Sequence, residues 1–490
     1  MHHLIRTIRA AGLTLAMTTV AMAAQAASLE GAAQASGATQ LSSIEVSGAG
    51  RWFQFGQAPA PGQPWPQFDV SRYVSSIHFD SASARVQITR LQTIDPDRAR
   101  PAPLEQKVDQ YVSGKLAWNL GVGTANATPT PQPAAVEERQ AEIWSTPQGF
   151  IKAALANQAT SKPLKDGVEV SFTAAGKYRY VGYINAQDQV ERVRTWIDNP
   201  VLGDTLVETS FDAYTNYNGV SFPAHIVRTQ GGFRVLDIAV SDVKANAVSA
   251  QTVPDSIAQG VLPPVSVAVN KLADGVYYLT GGTHHSVAIE QRDHIVLIEA
   301  PLNEARSLAV IDKVKETIPG KPIKYLINTH AHFDHSGGLR TLVAQGATIV
   351  THQGNVAYYK EVWANAHKLS PDLLAQKPRA PHFEAFNTKH VLSDGHRKIE
   401  VYPIQGNTHN DAFALVYLPA EKILVEVDAY TPLAPNAQPP ASPNPYAVNL
   451  EDNIDRLKLD VNQIAALHGP GVVKLSDLRS YNGRSKVAAN

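Results

Sequence analysis

The sequence contains no cysteine among its 490 residues. This excludes disulfide bonds, thiolate ligands for zinc, a cysteine nucleophile and the attachment of a lipid to a cysteine. Any metal site in this chain must therefore be built from imidazole and carboxylate groups.

The chain also lacks an excess of charge of either sign, since its formal net charge is −1. A field that would attract nucleic acid or an anionic membrane is therefore excluded. The hydrophobic fraction of 44% is ordinary for a globular protein. We expect a small-molecule substrate and no nucleic-acid partner.

No long hydrophobic run occurs after the first 26 residues, which are typical of a secretory signal peptide. Arg6 and Arg9 precede an apolar stretch from Ala10 to Ala24, and Ala24-Gln25-Ala26 offers small residues for cleavage. The stretch is shorter than the roughly 20 residues that a membrane-spanning helix needs. We expect a cleaved signal peptide at residues 1–26 and a periplasmic or secreted mature protein.

Residues 27–246 show short runs of β-branched and aromatic residues separated by turn sequences. Examples are Val168–Phe172, Tyr178–Ile184 and Val190–Ile197. Consecutive hairpins predict a mainly antiparallel β domain with few helices. The proline-containing segments Gln57–Gln67 and Gly123–Ala135 are predicted to be loops.

The pattern changes after a predicted linker at residues 247–264. Residues 265–490 alternate strands with helices, including the predicted helices Ala305–Thr317 and Gly338–Gln345. This alternation predicts a layered α/β domain.

The strongest local signal is Thr329-His330-Ala331-His332-Phe333-Asp334-His335, directly after a predicted strand. Two imidazoles can face one divalent ion, while the carboxylate and the next imidazole face a second. Imidazole and carboxylate ligands suit zinc, although manganese and iron are chemically possible. Three further candidates, His409, Asp428 and His468, each follow a predicted strand.

This set of motifs resembles the metallo-β-lactamase superfamily over roughly Val265 to Arg479. The resemblance implies an α/β fold, the αββα sandwich, preceded here by the mainly antiparallel β domain. It implies two divalent ions, with zinc favoured. It assigns His330, His332 and His409 to the first ion, Asp334, His335 and His468 to the second, and Asp428 to a bridge between them.

The activity implied is hydrolysis of a small carboxylic ester, lactone, thioester or β-lactam. Two cations lower the pKa of a shared water to about 7 and so supply hydroxide, with Asp334 as the catalytic group that orients it. Similarity to cysteine-ligated β-lactamases is excluded, and a bridging Asp is more typical of glyoxalase II and lactonase-like branches. The alternatives are a mononuclear iron enzyme resembling persulfide dioxygenases, or a periplasmic protein that binds an apolar ligand.

Five other residues are candidates for supporting ligands or contacting substrate. Glu299 stands where the superfamily usually has an Asp. His284 and His285 lie on an early turn, where a structural or surface role is the favoured interpretation. Tyr430 and Tyr446 flank a proline-rich loop that could line the substrate pocket, with ordinary loop aromatics as the favoured alternative.

The N-terminal hairpins, which end at Gly219–Pro223, resemble the curved half-barrel of periplasmic lipoprotein-carrier proteins. This resemblance implies a concave face that could hold an apolar ligand. A docking or stabilising module is the alternative.

Overall fold

The computed structural model describes residues 27–123 and 126–484. The predicted signal peptide at residues 1–26 lies outside the described residues. Within the described ranges, no helix is long and apolar enough to cross a membrane.

The N-terminal part is one 13-stranded sheet in which every neighbouring pair of strands is antiparallel. Two meanders, β1 to β6 and β7 to β13, are joined where β1 pairs with β13. The prediction of a mainly β N-terminal part is confirmed, whereas the resemblance to a lipoprotein carrier stays a prediction. The strands are β1 (Ser43–Phe53), β2 (Gln67–His78), β3 (Ser83–Gln92), β4 (Gln106–Ser113), β5 (Leu116–Asn119), β6 (Thr130–Pro131), β7 (Thr160–Leu164), β8 (Gly167–Ala174), β9 (Tyr178–Asn185), β10 (Val190–Asn199), β11 (Gly203–Tyr217), β12 (Val220–Gln230) and β13 (Phe233–Ala245).

Helices pack against this sheet, among them α1 (Leu29–Ala35), α2 (Val136–Trp144) and α3 (Pro147–Ala156). Helix α3 begins after Thr146, whose side chain accepts a hydrogen bond from the Gly149 N–H. Its first residue is Pro147, which is favoured at that position of a helix. Its Phe150 packs against Phe172 of β8 at a ring distance of 5.5 Å. Alternate residues of β8 are buried, as expected for a strand that faces a core on one side.

The predicted linker at residues 247–264 packs in part against the N-terminal sheet. It contains the short helix α4 (Asp255–Ala258). Ile257 of this helix is buried against Tyr111 and Trp118 of the N-terminal sheet. The segment therefore docks on the sheet before the chain enters the second part.

The C-terminal part contains a seven-stranded and a six-stranded sheet. The first mixes antiparallel strands with a parallel run from β17 to β20. Its strands are β14 (Ala268–Ala273), β15 (Val276–Thr280), β16 (Ser286–Glu290), β17 (Ile295–Ile298), β18 (Ile323–Ile327), β19 (Thr348–His352) and β20 (Phe383–Phe386). Those of the second are β21 (His390–Ser393), β22 (Lys398–Pro403), β23 (Ala414–Leu418), β24 (Ile423–Glu426), β25 (Gln463–Ala466) and β26 (Val472–Lys474).

The two sheets share one hydrophobic core, in which Val287 and Ile298 of one sheet cluster with Val401 and Val416 of the other. In a second hydrophobic cluster, helices pack against the other face of the seven-stranded sheet. Val310 of one such helix clusters there with Leu297 of β17. The helices are α5 (Glu304–Thr317), α6 (Phe333–Ser336), α7 (Leu339–Gln345), α8 (Gln353–Val362), α9 (Leu373–Gln376), α10 (Pro445–Leu457) and α11 (Leu475–Tyr481).

Candidate metal centre

The loop after β18 carries four of the predicted ligands, and buried polar contacts fix its path. The side-chain amide of Asn328 donates to the carbonyl of His330 at 2.8 Å. The N–H of Thr329 donates to Glu299 Oε1 at 2.7 Å. The chain then turns into the short helix α6, which contains Asp334 and His335. The apolar strand thus ends where a rigid polar loop begins.

Eight side chains of the metal-ligand type lie together in two groups. Within each group, the potential ligand atoms lie within 4.8 Å of one another. The groups bring together all seven ligands predicted from the sequence and add His284. The first group is His330, His332, His409 and Asp428, and the second is His284, Asp334, His335 and His468.

Asp428 lies between the two groups. Its Oδ2 is 2.9 Å from His409 Nε2 and 3.2 Å from His330 Nε2, both in the first group. The same oxygen is 3.2 Å from His335 Nε2, and Oδ1 is 2.9 Å from His468 Nε2 in the second group. A carboxylate in this position can serve both groups.

The donors fit a divalent cation. His330 Nε2 and His332 Nδ1 are buried and have no hydrogen-bond partner within residues 27–123 and 126–484. Burial lowers the pKa of His330 to about 4 and that of His332 well below its usual value, so both rings are neutral at pH 7. Neutral imidazole and carboxylate are the ligand types that zinc binds in proteins, so these side chains form a zinc-type donor set.

The carboxylates bring negative charge to this centre. Burial raises the pKa of Asp428, but its charge interactions with His335 and His409 and the hydrogen bonds from His330 and His335 lower it by more. The net pKa of Asp428 is well below the usual range. Burial also raises the pKa of Asp334, but His335 and His284 lower it by more, so its net pKa is below the usual range. Both aspartates are therefore ionised at neutral pH and attract a cation.

Glu299 is fully buried at the end of β17 and supports the ligand loop. Besides binding the Thr329 N–H, it places Oε2 3.3 Å from His335 Nδ1. Its backbone has a φ of 64°, a left-handed conformation that is uncommon for a residue with a side chain. This backbone geometry directs the glutamate towards His335.

The neighbouring histidines His284 and His285 have different surroundings. His284 Nε2 is 3.2 Å from Asp334 Oδ2, and its ring lies 4.1 Å from that of His468. His285 Nε2 donates instead to the carbonyl of Gly469 at 3.0 Å. His285 therefore holds the turn that carries His468, whereas His284 joins the second group.

The two tyrosines also differ in position. The ring of Tyr446, at the start of α10, lies 5.3 Å from the ring of His409. The ring of Tyr430 packs edge-on against Tyr481 in the core, and Tyr430 is only 3% exposed. Burial raises the pKa of Tyr430 to about 12. The structure thus brings Tyr446, and not the ring of Tyr430, to the candidate centre.

A segment of the N-terminal part reaches the centre, which sequence reasoning missed. Residues 54–66 between β1 and β2 are here called the bridging loop. They contact the loop at residues 330–335 and also the loop that carries His409. Gln57 Nε2 donates to Asp334 Oδ1 at 2.8 Å, and the carbonyl of Ala58 accepts from His332 Nε2 at 2.9 Å. The sequence signal for this segment is only its proline content, which predicts a loop but not its partner.

Comparison with known proteins places a metallo-β-lactamase superfamily domain in the C-terminal half, because the family model matches residues 279–425. The resemblance predicted over roughly Val265 to Arg479 is confirmed for residues 279–425. The matched range includes His284, the loop at residues 330–335 and His409, and it ends before Asp428 and His468. A comparison with curated proteins finds no match.

Solved structures similar to the chain include three metallo-β-lactamases. One from Pontibacter korlensis is 21% identical, with 45% of this chain and 100% of that chain covered and a TM-score of 0.33. One from Hirschia baltica is 18% identical, with 45% and 98% covered and a TM-score of 0.34. FIM-1 from Pseudomonas aeruginosa, in a mono-zinc form, is 19% identical, with 46% and 96% covered and a TM-score of 0.33.

Proposed function

We propose that this protein is a metal-dependent hydrolase of a small carboxylic ester, lactone, thioester or β-lactam, exported to the periplasm or beyond. The observation that carries the proposal is the pair of four-residue donor groups that meet at Asp428. The superfamily match of residues 279–425 supports a hydrolytic activity.

His330, His332 and His409 would hold one divalent ion, and Asp334, His335 and His468 a second, with Asp428 shared. When bound, two such ions supply a Lewis acid for the substrate carbonyl and a nucleophile at neutral pH. His284 lies within reach of the second group and is a further candidate ligand.

The chain's own residues would position the reacting groups and move a proton. Asp334 Oδ2 faces His284 and His335, whereas Oδ1 is occupied by Gln57. The ionised Asp334 can accept a proton during attack on the carbonyl and return it to the leaving group. Tyr446 beside His409 lies where its hydroxyl could contact the substrate.

Elemental analysis combined with a hydrolysis panel tests this proposal. We expect about two divalent ions per chain, and turnover of an ester or lactone that a chelator abolishes and added metal restores. A panel of lactone, thioester, β-lactam and phosphodiester defines the substrate class. One iron per chain with sulfur dioxygenation would favour the iron enzyme instead, and unchanged turnover after complete metal removal would refute the proposal.

A further inference from the structure

The bridging loop makes hydrogen bonds to both loops that carry the candidate ligands. On the first, the carbonyl of Gly56 accepts from the Phe333 N–H at 3.1 Å. On the second, the carbonyl of Pro59 accepts from the Asp411 N–H at 2.8 Å. The carbonyl of Ala58 also accepts from Asn410 Nδ2 at 3.1 Å. The loop therefore joins two segments of the C-terminal part that are far apart in sequence.

Two of the contacts are made to the ligand side chains themselves. Because His332 Nε2 donates to the Ala58 carbonyl, the ring carries its proton on Nε2 and keeps a lone pair on Nδ1. That Nδ1 is buried. Gln57 occupies Oδ1 of Asp334, which leaves Oδ2 to face the second group. A surface that only docked two domains would not need bonds to these atoms.

The bridging loop is also firmly anchored to both parts of the protein. The Gln54 N–H donates to the Pro66 carbonyl at 2.9 Å and closes the base of the loop. Phe55 and Trp65 pack edge-on against Phe333, at ring distances of 5.2 and 5.6 Å. Gly56 lies under the same ring, since a Cβ atom there would be 2.8 Å from Phe333 Cγ.

We propose that the bridging loop is part of the metal centre, with Gln57 and Ala58 as positioning residues that orient Asp334 and His332. This inference rests on the proposed function, because it concerns the ligands of the same centre. Outer partners of metal ligands typically change metal affinity or activity by about 10–100-fold. The N-terminal part would then determine how tightly the C-terminal part binds its ions.

Two pairs of variants of the full chain test this inference. Gly56→Ala pushes the loop away from Phe333, whereas Gly62→Ala adds the same methyl group where nothing lies within 4 Å. Both glycines have a left-handed backbone, with φ of 81° and 75°, so the backbone strain is matched. Gln57→Ala removes the bond to Asp334, and Gln63→Ala removes an exposed amide of the same loop.

Zinc affinity measured by chelator competition is the main readout, with the visible spectrum of the cobalt-substituted protein as a second. We expect Gly56→Ala and Gln57→Ala to weaken zinc binding about 10–100-fold, and both controls to match the unmodified chain. Gln57→Glu keeps the size of the side chain but places a second negative charge against the Asp334 carboxylate. This variant should therefore bind zinc more weakly than Gln57→Ala does.

Wild-type affinity in Gly56→Ala, Gln57→Ala and Gln57→Glu would overturn this inference and leave the hydrolase proposal intact. If Gly56→Ala does not fold, the two Gln57 variants decide the question, because neither adds an atom against the Phe333 ring. An unmodified chain that binds no metal would instead refute the hydrolase proposal.

Discussion

Arg98 of the N-terminal part forms an ion pair with Asp411 of the C-terminal part, with Nη2 2.6 Å from Oδ1. The same guanidinium group donates to the carbonyls of Pro59 and Thr408 at 3.3 and 3.2 Å. Arg98 therefore fastens the bridging loop to the loop that carries His409.

The first prediction concerns this ion pair. The Asp411 side chain is 56% exposed, so a double-mutant cycle of Arg98→Ala and Asp411→Ala should give a coupling of only about 0.2–1 kcal/mol. Arg98→Ala alone should cost about 1–3 kcal/mol in the free energy of unfolding, because the Thr408 carbonyl also loses its donor and the Pro59 carbonyl keeps only the Asp411 N–H. Denaturant titration of the four proteins checks both values, and equal costs for the two single variants would contradict this explanation.

The second prediction separates His284 from His285. His284→Ala should weaken binding of the second ion about 10–100-fold, with little change in the free energy of unfolding without metal. His285→Ala removes the donor to Gly469 and should lower that free energy by about 1 kcal/mol. Metal titration and denaturant unfolding of each variant measure these effects. Identical behaviour of the two variants would show that His284 has no role as a ligand.

The third prediction concerns the charge of Glu299. Glu299→Gln keeps an oxygen for the Thr329 N–H, so the protein should remain folded with metal affinity lowered about 10-fold. Glu299→Ala leaves that N–H buried without a partner and should cost a further ~1–3 kcal/mol in stability. Chelator competition and thermal unfolding distinguish the two effects. Metal affinity unchanged in Glu299→Gln would exclude a role for the carboxylate charge.

The fourth prediction is a pH dependence of stability away from the metal centre. Burial raises the pKa of Asp198 to about 6, and the nearby Glu137, Asp204 and Asp372 add to the rise while Lys177 opposes it. The unfolded chain ionises this group near pH 3.9, so the folded state binds more protons between these values. The contribution of Asp198 to stability is therefore most favourable below about pH 4 and falls as the pH rises to about 6.

Asp198→Asn should accordingly be more stable than the unmodified chain at pH 8 and similar to it at pH 4. Denaturation midpoints at the two pH values measure this difference. Asp166→Asn, a change at an exposed acid of the same sheet, is the control. A stabilisation of Asp198→Asn that is equal at both pH values would rule out ionisation as the cause.

The regular elements were predictable where the local pattern agrees with the burial. The predicted helices Ala305–Thr317 and Gly338–Gln345 each begin within one residue of α5 and α7. The predicted strands at residues 168–172 and 178–184 lie within β8 and β9. In these segments the periodicity of apolar side chains and the flanking turn residues are sufficient to predict the type of element and its approximate bounds.

Contacts between distant residues were not predictable in the same way. His284 follows two glycines on a turn, and its place in the second group depends on a bridge to His468. Tyr430 is two residues from Asp428, yet its ring points into the core towards Tyr481. Gln57 lies 277 positions from Asp334. No local pattern records which segments meet across the folded chain.

The position of the bridging loop in the chain has a consequence for the order of assembly. The N-terminal sheet consists mainly of hairpins between consecutive strands, which can form as soon as residues up to about 245 are free to fold. The bridging loop between β1 and β2 can therefore be folded before the histidines of the C-terminal part become available. Its Ala58 precedes its hydrogen-bond partner Asn410 by 352 positions. The earlier half can thus act as a template on which the later half arranges its ligands.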